Sequence, residues 1–123
     1  MYLVIGGAYQ GKTDFAKEKF NLSDEGIYFC SGEENEIIDF SKRCICNIEK
    51  FVYKHPNAED VFEAHKEEWK NSVFICRDIF CGVVPIDAEV RAWRRNTGLL
   101  CRYFTKNAEG VSRIFCGLEQ KLK

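Results

Sequence analysis

Eight consecutive residues near the start of the chain have the types and spacing that hold a polyphosphate. They fit the pattern GxxxxGK[ST] at every fixed position; the residues are Gly6, Gly7, Ala8, Tyr9, Gln10, Gly11, Lys12 and Thr13. Glycines allow the backbone to wrap so that successive N–H groups point at one anion. Lys12 is expected to reach the β- and γ-phosphates, and the Thr13 hydroxyl is expected to ligate Mg²⁺. The pattern predicts binding of a purine nucleoside triphosphate, ATP or GTP, with magnesium.

A magnesium ion beside a triphosphate also needs an acidic side chain, and Asp78 is placed to supply it. Asp78 follows a short apolar run, so it should lie at the carboxyl end of a buried strand, where the glycine loop also lies. We therefore predict Lys12 and Asp78 as catalytic residues, and Thr13 and Asp78 as metal ligands. Glu33 and Asp39 are alternative acids, and a surface or helix-capping role is the alternative for Asp78.

Arginines on a long C-terminal helix are a further candidate for phosphate chemistry. Asp87 is expected to cap this helix, whose apolar residues follow the 3.6-residue period. Arg91, Arg94 and Arg95 lie on or beside its other face. They are predicted to neutralise charge on a transferring phosphate, and a solvated helix face is the alternative explanation.

The elements that must position these residues alternate between strand and helix. The predicted strands are residues 2–5, 26–30, 73–76 and 111–116, and the predicted helices are residues 12–20, 57–69 and the helix after Asp87. That order specifies a mainly parallel sheet with helices on both faces. We therefore predict an α/β fold, three-layered and P-loop NTPase-like, in a single domain over residues 1–123.

The remaining segments give more local expectations. Residues 44–46 are predicted as a short edge strand, and residues 48–53 as a helical turn. His65 shares a face with apolar residues, so a hydrogen-bonded core histidine is favoured over a catalytic one. The lysine-rich C-terminal end is expected to fray.

Composition excludes several classes of protein. The 18 basic and 19 acidic residues give a net charge of -1, so nothing in the charge balance favours nucleic acid or a membrane as partner. The seven cysteines lack paired CxxC spacing, which favours reduced thiols over a metal site or disulfides. Without a signal-peptide pattern, we expect a cytoplasmic protein.

The two ends of the chain resemble the bifunctional adenosylcobinamide kinase/adenosylcobinamide-phosphate guanylyltransferase family. The resemblance lies in the opening strand with its glycine loop, the Gly82-Val83-Val84-Pro85 turn, the helix carrying Arg91, Arg94 and Gly98, and the closing strand with Cys116-Gly117. It covers a little over half of the chain. It implies a P-loop fold, phosphoryl transfer to the hydroxyl of adenosylcobinamide, guanylyl transfer from GTP through a histidine, and a homo-oligomer.

The chain departs from that family in its middle. Residues 31–43 contain no histidine, and the chain is shorter than family members. We therefore expect nucleotide binding without guanylyl transfer. Three hypotheses follow: a reduced cobinamide-type kinase, a catalytically degenerate ATP- or GTP-binding module that acts through a partner or its own oligomer, or a small P-loop kinase for another metabolite.

Overall fold

A six-stranded sheet forms the centre of the molecule, in a computed structural model that describes residues 1–80 and 82–123. The strands are β1 Tyr2–Gly6, β2 Ile27–Phe29, β3 Cys44–Cys46, β4 Val73–Arg77, β5 Gly110–Phe115 and β6 Leu118–Lys121. The helices are α1 Lys12–Phe20, α2 Ile48–Lys54, α3 Ala58–Ala64, α4 Lys66–Trp69 and α5 Ala88–Asn107. The strand order is β2-β3-β4-β1-β5-β6, and only the β5–β6 pair is antiparallel. The predicted α/β fold with a mainly parallel sheet is confirmed.

Strand β1 lies in the interior of the sheet, with parallel neighbours on both sides. Leu3 and Val4 are almost completely buried, as expected for a continuous apolar strand covered on both faces. At the carboxyl end of β1, Gly6 is in register with Arg77 of β4 and with Ile114 of β5. The segments that follow these strands therefore meet at one edge of the sheet.

Helices cover both faces of the sheet, as predicted. Ala16 of α1 packs in the core cluster on one face, while α2, α3 and α5 supply Ile48, Phe62 and Phe104 to the cluster on the other. Phe62 and Phe104 meet with ring centroids 4.9 Å apart. None of the helices in the described residues is long and apolar enough to cross a membrane.

Helix α5 begins where the sequence predicts. The Asp87 carboxylate accepts hydrogen bonds from the backbone N–H groups of Glu89 and Val90, which have no partner within the helix. Leu100 and Phe104 are buried one turn apart. The 3.6-residue apolar period therefore marks the face of α5 that packs on the sheet.

The two short strands, β2 and β3, lie side by side at one end of the sheet. Strand β3 lies between β2 and β4 and is fully buried, so the prediction of an edge strand at residues 44–46 was wrong. Strand β2 is the edge strand instead, and its Phe29 is about half exposed. Three-residue strands carry too little periodicity to distinguish an edge position from an interior one.

The helix predicted over residues 57–69 is interrupted at His65, which lies between α3 and α4. The His65 side chain is 46% exposed, and its Nδ1 lies 2.5 Å from a carboxylate oxygen of Glu68. The prediction of a core histidine was therefore wrong: one side of the ring stacks on Phe40, with centroids 4.6 Å apart, but much of the side chain remains exposed. Phe62 and Trp69 remain buried on either side of the break.

The C-terminal end forms a strand, so the prediction that it frays was wrong. Strand β6 pairs with β5 through a two-residue turn in which Cys116 has φ 51° and Gly117 has φ 78°. Two left-handed residues suit a tight hairpin because they match the twist of the strands. Cys116 is exposed in this turn. The other described cysteines are also free thiols, and Cys81 lies outside the described residues.

Candidate functional site

The segment that joins β1 to α1 is a tight loop that ends at the first turn of the helix. Gly11 precedes α1 with φ 91°, a left-handed conformation that favours glycine, and its carbonyl accepts the first helical bond, from Phe15 N at 2.9 Å. No side chain caps this end of α1. The N–H groups of its first turn are therefore available to an anion placed over the loop, together with the positive end of the helix dipole.

Gly6 is the glycine of this loop at which a Cβ would come closest to other atoms. A Cβ atom there would lie 2.6 Å from the carbonyl oxygen of Ile114 and 3.3 Å from two methylene carbons of Lys12. At Gly7 the nearest atom to such a Cβ would be a Gln10 side-chain carbon at 3.6 Å, an ordinary contact. The close packing of the loop on β5 therefore depends on Gly6.

Lys12 spans the loop and holds its ammonium group over it. Its Nζ donates a hydrogen bond of 2.6 Å to the carbonyl of Gly7. Partial burial lowers the pKa of Lys12 below its ordinary value, and the nearby carboxylate of Glu49 opposes this effect. A partly desolvated cation over a ring of backbone amides is an arrangement that attracts a polyphosphate.

The β5–β6 turn supports the loop from the other side. The Gln10 carbonyl accepts a hydrogen bond from Gly117 N at 2.9 Å, and the Gln10 Oε1 accepts one from Cys116 N at 2.5 Å. Tyr9, with φ 58°, is fully exposed at the tip of the loop. The loop conformation is therefore held by one backbone bond and one side-chain bond to a turn more than a hundred residues further along the chain.

Thr13, predicted as a metal ligand, lies against the end of β3. Its Oγ1 is 3.8 Å from the Sγ atom of Cys46. Burial raises the pKa of Cys46, so this thiol is neutral at physiological pH. The strand end nearest to the Thr13 hydroxyl therefore presents a thiol and not a carboxylate.

Asp78 lies beside the loop, as the sequence predicts. Its backbone N–H donates to the Gly6 carbonyl at 2.7 Å, and its Oδ1 accepts from Phe80 N at 3.0 Å. A cavity of about 130 Å³ separates it from the hairpin; this cavity is lined by Gly7, Gln10, Asp78, Arg113, Ile114 and Phe115. Asp78 thus combines the predicted position at the end of β4 with a local capping bond.

The alternative acids Glu33 and Asp39 belong to a different part of the molecule. Both are exposed and follow the edge strand β2. Asp39 accepts hydrogen bonds from the backbone and the hydroxyl of Ser41, which lower its pKa. Its carboxylate is thus used to hold its own turn.

Glu49 is an acid that the sequence analysis missed. It lies on α2, is only 4% exposed, and its Oε1 accepts from Arg77 N at 2.8 Å. Its carboxylate is the strongest charge acting on Lys12. The signal in the sequence was weak: Glu49 stands among the apolar residues Ile48, Phe51 and Val52, shortly after a short strand. A charged side chain in such a segment becomes buried only when it has a specific partner.

The arginines of α5 support the neighbouring loop. Arg94 donates to the carbonyls of Val83, at 3.0 Å, and Phe80. Arg91 donates to the carbonyl of Pro85 at 3.0 Å, and Arg95 is exposed. The structure therefore does not bring these guanidinium groups together with Lys12 and Thr13.

The site as a whole is a strand, a glycine loop and a helix at the centre of a parallel sheet, with one lysine and two nearby carboxylates. No group of three or more His, Cys, Asp or Glu side chains within residues 1–80 and 82–123 is arranged to hold a metal ion. No protein-family model matches the chain. A search of curated proteins also finds no match.

Proposed function

We propose that this chain is a P-loop NTPase-like protein that binds a purine nucleoside triphosphate with Mg²⁺ at residues 6–13. The observation that carries this proposal is the loop itself, in which Gly6 packs without a side chain on the Ile114 carbonyl while Lys12 reaches back across the loop to Gly7. A glycine turn of purely structural function would have no need of a partly buried ammonium group directed over its backbone amides.

Binding would exchange one partner of Lys12 for another. The Lys12 Nζ would leave the Gly7 carbonyl for the phosphate oxygens, which are stronger acceptors because they are charged. The first N–H groups of α1 would donate to the same phosphates. The bond between Lys12 and the Gly7 carbonyl would therefore break when the nucleotide binds.

The residues near the loop fit a magnesium ion that is held mainly by the nucleotide. Mg²⁺ keeps several waters and commonly takes only one or two protein ligands beside substrate phosphates, so the Thr13 hydroxyl and one carboxylate are sufficient. When bound, the ion would neutralise charge on the phosphates. Asp78 beside Gly7 and Glu49 beside Lys12 are the two acids in reach of this edge.

Calorimetric titration with ATP or GTP in the presence of Mg²⁺ tests the binding. Lys12→Ala should weaken the affinity by at least about tenfold, because a charged hydrogen bond to phosphate is lost. The matched control is Lys17→Ala on the same helix, since Lys17 pairs with the exposed Asp24 at 2.6 Å and should not contribute. Absence of heat with either nucleotide at millimolar concentration, or equal affinities in the two variants, would contradict the proposal.

The choice between the two acids is tested by the dependence of binding on magnesium. Glu49→Gln and Asp78→Asn each remove a charge while retaining an oxygen acceptor for Arg77 N or Phe80 N. Mg²⁺ should increase the affinity of the parent protein for the nucleotide. In the variant that lacks the acid bound to the metal, this increase should be mostly lost. If magnesium increases the affinity of both variants as much as that of the parent, neither acid has this function.

The enzymatic form of the proposal is a reduced kinase of the adenosylcobinamide type. Its support is the resemblance of the two chain ends, combined with the loop geometry. Incubation with γ-labelled ATP or GTP and adenosylcobinamide should transfer label to the cobinamide hydroxyl. No covalent GMP adduct should form, because His55 stacks on Phe51 and His65 pairs with Glu68, and neither lies in the segment expected to carry the guanylylated histidine. If the cobinamide remains unlabelled after incubation with each of the two nucleotides, the kinase hypothesis is eliminated.

A catalytically degenerate nucleotide-binding module is the second candidate function. Two observations favour it: a neutral Cys46 thiol faces Thr13, and Arg91 and Arg94 are bonded to carbonyls of the loop that precedes α5. These groups leave binding intact but supply little charge to a transition state. Nucleotide affinity that depends on Lys12, without hydrolysis or transfer above background, is the expected result. Steady turnover would reject this candidate.

A further inference from the structure

An apolar groove runs along the flank of α5, outside the glycine loop. Its volume is about 670 Å³, within the range of small-molecule sites, which is about 300–1,000 Å³. Leu3 and Ile5 of β1 line it together with Gly98 and Cys101 of α5, and Phe80 lies at one end. Gly98 lines the groove, and a Cβ at this position would meet nothing closer than the Phe80 ring at 3.6 Å.

A stripe of cations borders this groove. Arg95, Arg102 and Lys106 are exposed and spaced by seven and four residues, so they lie on one side of α5. None of the three forms an ion pair with any other residue in the described part of the chain. No acidic side chain is among the described residues that line the groove. In a chain of net charge -1 this stripe is a local concentration of positive charge.

The dimensions and the charges together define the ligand. From Arg95 to Lys106 the helix extends about 16 Å, and Leu99, about half exposed, also lines the groove. We propose that this groove binds a soluble amphiphilic anion, a molecule with an elongated apolar body and a carboxylate, sulfate or phosphate group. The body lies on Ile5 and Leu99, and the anionic group faces the cationic stripe. This inference goes beyond the nucleotide site and does not rest on it.

Dodecanoate is a suitable probe, with dodecanol and dodecyltrimethylammonium as its uncharged and cationic analogues. Calorimetry at concentrations below micelle formation should show binding of dodecanoate, and binding of the two analogues at least about tenfold weaker. Amide chemical-shift changes should centre on Gly98 and Leu99. Equal binding of all three compounds would overturn the proposal, because the cations would then contribute nothing.

Two variants test the position of the site. Arg102→Glu with Lys106→Glu reverses two charges of the stripe and should weaken dodecanoate binding by about tenfold or more. The matched control is Lys50→Glu with Lys54→Glu, which reverses two exposed lysines at the same four-residue spacing on α2. Equal affinities in the two double variants would overturn the proposal.

Gly98→Leu fills the groove while improving the helix propensity of α5, and it should abolish binding. Gly98→Ala is the matched control, because its Cβ makes only an ordinary contact with Phe80. Unchanged dodecanoate binding in Gly98→Leu would reject the groove as the site. Cosedimentation of the parent protein with anionic phosphatidylglycerol vesicles, lost in the Arg102/Lys106 variant, would also overturn the proposal, because a lipid surface would then be the ligand.

Discussion

Replacing Gly6 with alanine should destabilise the protein substantially, although it adds only one methyl group. The new Cβ would lie 2.6 Å from the Ile114 carbonyl oxygen, and a backbone atom of β5 cannot move aside as a side chain can. β1 and β5 must therefore separate, which we expect to cost about 2 kcal/mol, typical of an overpacked site. Unfolding entropy of about 2.1 cal/mol/K per residue gives about 260 cal/mol/K for 123 residues, so the Tm should fall by about 8 °C.

Gly7→Ala is the matched control for this prediction, since the substitution is chemically identical and one residue away. Its Cβ would meet only a side-chain carbon of Gln10 at 3.6 Å, and we expect a change in stability within about 0.5 kcal/mol. Differential scanning calorimetry and urea unfolding of the two variants measure the difference. If Gly6→Ala unfolds at the same temperature and urea concentration as Gly7→Ala, the close packing of Gly6 on Ile114 does not constrain the loop.

Three further predictions concern proton uptake, the α5 cap and the support of the loop. Nucleotide binding should be accompanied by proton uptake at alkaline pH, because burial holds the pKa of Lys12 below 10.5 and a polyphosphate would raise it. The affinity should therefore fall as the pH rises through the pKa of Lys12. Calorimetry in buffers of different ionisation enthalpy measures the uptake, and none will be seen if Lys12 does not contact the ligand. Asp87→Ala should lower the free energy of unfolding by about 1 kcal/mol, since two N–H groups of α5 lose their acceptor, whereas Asp87→Ser should restore most of it in urea unfolding. Gln10→Ala should cost about 1 kcal/mol because Cys116 N loses its side-chain acceptor, and it should weaken nucleotide binding as well; an effect on stability alone would show that the loop keeps its shape without this bond.

The parts of the fold that the sequence predicts well are those with strong local signals. The buried strand, the glycine loop and the helix from Lys12 to Phe20 follow from residues adjacent in sequence, and Asn21 ends that helix in a left-handed conformation. The Asp87 cap and the apolar period of α5 are equally local. Asp78 was placed beside the loop because parallel strands bring their carboxyl ends to one edge.

The parts that the sequence did not predict depend on contacts between distant segments. Whether Cys44–Cys46 is an edge or an interior strand is decided by the pairing of β2 on its outer side, which no local pattern reports. Glu49 is buried because Arg77 N, 28 residues away, uses its carboxylate as an acceptor. The C-terminal turn likewise supports the glycine loop through its bonds to Gln10, more than a hundred residues earlier in the chain.

The bonds from Gln10 to Cys116 and Gly117 have a consequence for when the loop acquires its shape during synthesis. The first twenty residues leave the ribosome early, but the turn that holds the loop is translated almost a hundred residues after α1. Contacts between such distant segments form late, since the intervening chain must first be ordered. Nascent chains arrested before the hairpin should therefore carry the complete glycine motif and yet retain nucleotide poorly.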